Sequence, residues 1–148
     1  MAEWQRIRRC VEPIQRMAGV ELAGPLGYGR PRADSECIAL NGAAATGDDY
    51  ETFELYRVRG RATMPFCKTG RRPYDLAVAA ILCAAERLAP GALTDVSADG
   101  GPEDWAEANA ICDYLELPRR RRVARKPSVM ERRWTASCGT RVPVCSTW

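Results

Sequence analysis

The chain has 148 residues, with 22 Lys and Arg against 19 Asp and Glu, and 46% of it is hydrophobic. That is the length of one ordinary domain and the composition of a globular rather than a wholly disordered protein. It contains no histidine, which excludes Ser/His/Asp and Cys/His nucleophile activation and every metal site that needs an imidazole.

The first element is a helix. Trp4, Ile7, Val11 and Ile14 recur at spacings of three and four, as on one helical face. Pro13 lacks a backbone donor and clashes with the carbonyl of Arg9, so the helix is expected to stop or kink near Glu12. Residues 19–33 are rich in Gly and Pro, including Gly24-Pro25 and Gly27-Tyr28-Gly29, and read as a linker.

Residues 37–41 form a short apolar run and read as a strand. Residues 52–58 alternate, with Phe53 and Leu55 set between Glu54 and Tyr56, the pattern of a sheet with one buried face. The loop between them has no room for a crossover helix, so the two strands read as antiparallel.

Residues 74–88 read as a helix whose middle, 76–85, is apolar on every side and therefore buried all round. That ten-residue run is also the longest apolar run in the chain, about half of a membrane-spanning helix. Pro73 suits the start of the helix and Asp75 complements its positive end. Pro90-Gly91 closes it. Residues 93–97 read as a third strand, Asp99-Gly100-Gly101 as a turn, and the segment from Pro102 as a last helix. Trp105, Ala108, Ile111, Cys112 and Leu115 supply its core-facing stripe. The expected fold is α+β: a small three-stranded mixed sheet with a central buried helix, a second helix packed on one face, and a basic C-terminal tail.

The tail follows from the charge distribution. Residues 1–117 hold 13 basic and 18 acidic groups, net −5, and residues 118–148 hold nine basic groups and one acidic group, net +8. The break falls at Pro118, followed by Arg119, Arg120, Arg121 and Arg122, then Arg125 and Lys126. A proline ends the preceding helical pattern, and a like-charged run resists compaction. The expected organisation is therefore residues 1–33 as helix and linker, 34–117 as the α+β core, and 118–148 as a flexible basic tail. Three readings of the tail stand side by side: a solvated extension, a nucleic-acid arm acting through those six basic residues, and an end read out of frame from a GC-rich gene. In the second, Trp134 and Trp148 would stack on bases.

The seven cysteines, at 10, 37, 67, 83, 112, 138 and 145, include no CxxC pair, so neither a zinc ribbon nor a thioredoxin-like site is expected. The odd count, and a start without an apolar signal-peptide core, point to a reducing, cytoplasmic setting. Cys83 and Cys112 lie in apolar helical patterns and read as small buried hydrophobes. No resident metal or cofactor is expected. Asp99, Glu103 and Asp104, with Asp75, form the nearest approach to a Mg²⁺ cluster, but they suit a turn and helix first turns better.

The segment that best suits a ligand is 66–75. Five basic residues and no acidic one fall between Arg59 and Pro73, leading into a helix N-terminus, where free N–H groups and the dipole favour an anion. Lys68, Thr69, Gly70, Arg71 and Arg72 are the candidate anion-binding residues. The order is wrong for a P-loop, whose glycines precede its Lys-Thr pair. Cys67 in the same basic stretch could hold a stabilised thiolate, but no histidine is there to act as its base, and a packed or merely exposed thiol is the favoured reading.

Glu51-Thr52-Phe53, Phe66-Cys67-Lys68-Thr69, Pro73-Tyr74-Asp75, Val96-Ser97-Ala98-Asp99-Gly100 and Asp104-Trp105 together resemble short uncharacterised proteins of phages or prophages of high-GC bacteria, over about residues 36–115. The resemblance implies no activity and no site. The favoured function is a small non-enzymatic binding or accessory protein with a protein partner, a host protein if the chain is phage-encoded. A nucleic-acid-associated protein using the tail and the 68–72 loop is the alternative. A small enzyme acting on an anionic or phosphorylated substrate at the loop–helix junction is a further one.

Overall fold

The computed structural model describes residues 1–58, 67–93 and 102–119. The chain opens with two helices, α1 (Ala2–Arg9) and α2 (Val11–Ala18), that run almost continuously through Cys10. The break has the expected cause, two residues earlier than expected. Pro13 cannot donate to the carbonyl of Arg9, so the ladder is interrupted there. The Cys10 N–H turns in tightly to Ile7 O (3.0 Å), and Ile14 N–H resumes on Cys10 O (2.9 Å). Trp4, Ile7, Val11 and Ile14 are all buried, as their spacing predicts.

Residues 19–33 are not a bare linker. They contribute β1 (Leu22–Ala23) and β2 (Arg32–Ala33), joined by a loop with a short 3₁₀ turn at Pro25–Gly27. Strands of two residues carry no readable alternation, so only the Gly and Pro of their connection mark the sequence. Then come β3 (Cys37–Gly42) and β4 (Phe53–Tyr56). All three short strands pair antiparallel with β3, in the registers Leu22 with Gly42, Ala33 with Ile38, and Leu55 with Ile38. The described sheet is therefore four-stranded and antiparallel rather than three-stranded and mixed. The expected third strand, residues 93–97, lies outside the described residues except for Leu93, which is buried beyond the end of the central helix.

Register decides which face is covered. Residues opposite one another across an antiparallel pair point to the same side, which puts Leu22, Ala33, Ile38, Leu40, Phe53 and Leu55 on one face, all within the hydrophobic core. Against it lies α3 (Asp75–Leu88), with eight buried residues. Its alanines at 77, 80, 84 and 85 are fully buried, and α1, α2 and α4 (Ala106–Tyr114) pack on it. The mixed α+β class, the central helix and the last helix match the sequence expectation, but the central helix is not buried all round, since Leu76, Ala79 and Leu82 are only half-buried.

Two polar devices lock the ends. Between α3 and α4 the Arg87 guanidinium, 9% exposed, bonds Asp113 Oδ1 (2.7 Å) and Asn109 Oδ1 (2.8 Å). Asn109 Nδ2 in turn donates to Trp105 O (2.9 Å). At the start of β3, the Asp34 carboxylate accepts from Arg32 Nε and from the backbone N–H groups of Glu36 (2.8 Å) and Cys37 (2.9 Å), and the Asp34 carbonyl accepts from Trp4 Nε1 (3.0 Å).

Those donors, Arg32 foremost, hold the Asp34 carboxyl down at about 2. A carboxyl depressed on folding stabilises above its unfolded value of about 3.9 and loses that contribution as pH falls toward the folded value. The chain is therefore expected to lose stability between about pH 4 and pH 2, and Asp34→Asn to flatten that window while lowering stability at neutral pH. Urea midpoints measured from pH 2 to 7 for both proteins check it.

Candidate functional site

At the end of the sheet where β3 stops and α3 begins, three loops meet: 24–30, 43–52 and 67–75. They are held by Asn41, the one buried polar side chain among the described residues. Its Oδ1 accepts from the N–H groups of Gly42 (2.8 Å) and Tyr50 (3.1 Å), and its Nδ2 donates to Tyr50 O (3.1 Å). Engaging both the N–H and the C=O of Tyr50, the amide side chain acts as one more rung between β3 and the chain entering β4. Thr52 Oγ1 lies 3.5 Å from the same Nδ2 and accepts the N–H of Leu26 at 2.9 Å, tying in the first loop.

Glu51 ties in the third. Its N–H donates to Lys68 O (3.3 Å) and its carboxylate accepts Lys68 N–H (2.7 Å). Its carbonyl accepts the Tyr74 hydroxyl (2.7 Å) and the Cys67 thiol (3.5 Å). Tyr74, fully buried at the mouth of α3, rests over Gly42. A Cβ on Gly42 would sit 3.0 Å from the Tyr74 ring and 2.6 Å from the Asp48 carbonyl carbon. Only glycine fits there.

The 68–72 loop is a tight turn. Arg72 N–H bonds Thr69 O (3.0 Å), and Gly70 and Arg71 both have positive φ, +58° and +55°, the φ signature of a type I′ turn. The ring of Tyr50 lies against Gly70, 3.4 Å from where a Cβ would stand. Lys68, Thr69, Gly70, Arg71 and Arg72 are thus brought onto one turn. Part of the hydrogen-bonding capacity expected for an anion is already engaged, because the Thr69 hydroxyl donates to Asp75 Oδ1 (2.7 Å) and Lys68 N–H to Glu51. Asp75 also places its own negative charge at the start of α3. The Lys68 ammonium and the Arg72 guanidinium are exposed and make no polar contact among the described residues.

Cys67 follows the favoured reading of a packed thiol rather than that of a stabilised thiolate. Burial, and next the Glu51 charge, push that thiol up to about 11. The basic neighbours point outward while the sulfur points in, so desolvation dominates. Cys83 and Cys112 are pushed up to about 11 and about 12, again by burial first. The five described cysteines are free. Asp99 and the side chain of Asp104 lie outside the described residues, and Asp75 is engaged by Thr69. Among the described residues no group of three Cys, Asp or Glu side chains gathers as metal ligands would. Of the six basic tail residues only Arg119 is described. It pairs with Asp113 (3.1 Å), the same carboxylate that holds Arg87, while Arg120, Arg121, Arg122, Arg125 and Lys126 fall outside.

The sequence reading missed three exposed side chains on these loops. Leu26 is 74% exposed, Tyr28 72% and Tyr50 53%. Leu26 also has φ +60°, a left-handed conformation that costs a non-glycine residue roughly 1–2 kcal/mol. Pro25 is fixed at negative φ and Gly27 takes its own positive φ (+81°) without cost, so nothing in the sequence announces that Leu26 is left-handed as well. No family model matches the chain, and no match is found among the curated proteins or the solved structures.

Two outcomes follow for this end of the fold. Gly42→Ala is expected to lower stability by about 2–3 kcal/mol through overpacking, read from urea midpoints. Thiols raised on folding favour the native state fully below their unfolded value near 9 and lose that contribution as pH rises through their folded values. Stability is therefore expected to be level from pH 7 to about 9 and to fall from there toward pH 11–12, with Cys67→Ser reducing the fall.

Proposed function

We propose that this chain is a non-enzymatic binding protein that engages a protein partner through the loop end carrying Leu26, Tyr28 and Tyr50. The observation that carries the reading is Leu26. An apolar side chain stands largely in water on a strained backbone, although a glycine would relieve the strain. Strain of this kind gathers at ligand clamps and is maintained by its surroundings, here the Thr52 hydroxyl on the Leu26 N–H. Loops held on a rigid sheet are where binding residues concentrate, and tyrosine is prominent among the residues that dominate interface energy.

The chemistry of the same end supports binding over catalysis. The Cys67 thiol is kept protonated, and the Thr69 hydroxyl and the Asp75 carboxylate are spent on each other. In this reading the chain is phage-encoded and cytoplasmic, and the partner is a host protein.

Leu26→Gly separates function from folding. Relief of the left-handed strain is expected to raise stability by about 0.5–1 kcal/mol, while binding is lost. The measurement is photo-crosslinking in host cells, with a benzophenone side chain placed at position 28 or, as control, at the exposed Arg9. A discrete adduct is expected from position 28 only, reduced at least tenfold by Leu26→Gly. Equal labelling from both positions, or an adduct indifferent to Leu26, would overturn the proposal.

A further inference from the structure

We infer that the surface recognised by this loop end is a protein segment in which an apolar side chain is flanked by carboxylates; the inference rests on the proposed binding role and specifies its partner. Three cations border the exposed apolar group. Lys68 and Arg72 stand on the turn against which Tyr50 packs, and Arg30 follows Tyr28 in the first loop. All three are exposed, and none has a polar contact among the described residues.

The carboxylates of the same end are in a different state. Glu51 is taken by the Lys68 N–H, Asp75 by the Thr69 hydroxyl, and Asp48 by the Thr46 hydroxyl at 2.7 Å. Three of the four local carboxylates, all but Asp49, thus accept hydrogen bonds within the fold, and all four residues are half-buried, whereas the three cations stand exposed, although the formal charges nearly balance. A partner that supplies carboxylates beside an apolar residue satisfies both halves of this surface. Cationic rims chiefly set orientation and association rate, while the apolar centre holds the complex. Single-stranded nucleic acid meets the cations and the tyrosines equally well. Leu26, the most exposed of the three, argues against it, because an aliphatic side chain offers a base no stacking face, whereas a protein surface can give it a pocket.

The test is selection of a random dodecapeptide display library on the full-length chain, followed by fluorescence polarisation with synthetic copies of the selected peptides. Enrichment of Asp and Glu beside Leu, Ile or an aromatic residue is expected. The Lys68→Glu/Arg72→Glu variant should weaken those peptides at least tenfold and, on reselection, favour Lys- and Arg-containing ones. The milder Lys68→Gln/Arg72→Gln pair should show an intermediate loss, with thermal melts showing that both variants stay folded. Selected peptides without acidic bias, or affinities unchanged by charge reversal, would overturn the inference. If Leu26→Gly still abolishes binding of those peptides, the loop end remains the binding surface. Failure to enrich any peptide, together with binding of an oligothymidylate that the charge reversal weakens, would overturn both.

Discussion

A single buried amide organises the functional end of this molecule. Asn41 stands on β3 just past the end of its pairing with β4, and its side chain engages both the N–H and the C=O of Tyr50. A buried amide left unpaired costs about 1–3 kcal/mol per group, so the loop from 43 to 52 cannot leave this position without exposing or orphaning Asn41. Tyr50 and Glu51 are thereby placed, and through them the 67–72 turn and the mouth of α3. Thr52 extends the same network to Leu26. Three loops distant in sequence thus share one register, set by a residue that is itself fully buried.

The other constraint is steric. Tyr74 begins α3 and closes over Gly42, so the helix that forms the middle of the core and the strand that forms the middle of the sheet meet at a contact with no spare volume. The alanines of α3 repeat the logic further along, where small side chains let α1, α2 and α4 approach it. Arg87 then fixes α4 in rotation by reaching Asp113 and Asn109, a near-buried charge that is tolerable because its hydrogen bonds are made. Arg119 shares Asp113, so the last described residue is attached to the same clamp.

What the sequence disclosed, and what it withheld, divides along physical lines. The helices at 75–88 and 106–114 and the strand at 53–56 bury residues in runs long enough to display a period, and all three were legible. So was the effect of Pro13, because one missing donor acts on one known carbonyl. The strands at 22–23 and 32–33 were not legible. Each makes two residue pairings with β3, and their existence depends on β3 having open edges rather than on their own composition. The binding residues were illegible for the same reason. Leu26 and Tyr28 in a Gly/Pro-rich stretch look like any loop, and a hydrogen bond that holds the strained Leu26 comes from Thr52, twenty-six residues away. Cys67 was legible in its main outline: basic neighbours left room for a stabilised thiolate, but the favoured packed thiol is what the fold provides, with the sulfur turned inward where burial sets its chemistry.

The distribution of charge carries the same lesson to the surface. Counted along the chain, the loop end is close to neutral, with Lys68, Arg71, Arg72 and Arg30 offset by Asp48, Asp49, Glu51 and Asp75. Counted by hydrogen bonding it is not, since three of those carboxylates accept from groups within the fold. A carboxylate that accepts a backbone N–H or a hydroxyl keeps its formal charge but presents less of it to an approaching molecule. A solvated ammonium or guanidinium keeps both its charge and its free donors. The field met by a partner is therefore set by which charges the backbone has already used. That is why a segment balanced in composition can favour an acidic partner, and why the preference becomes visible only once the loops are folded together.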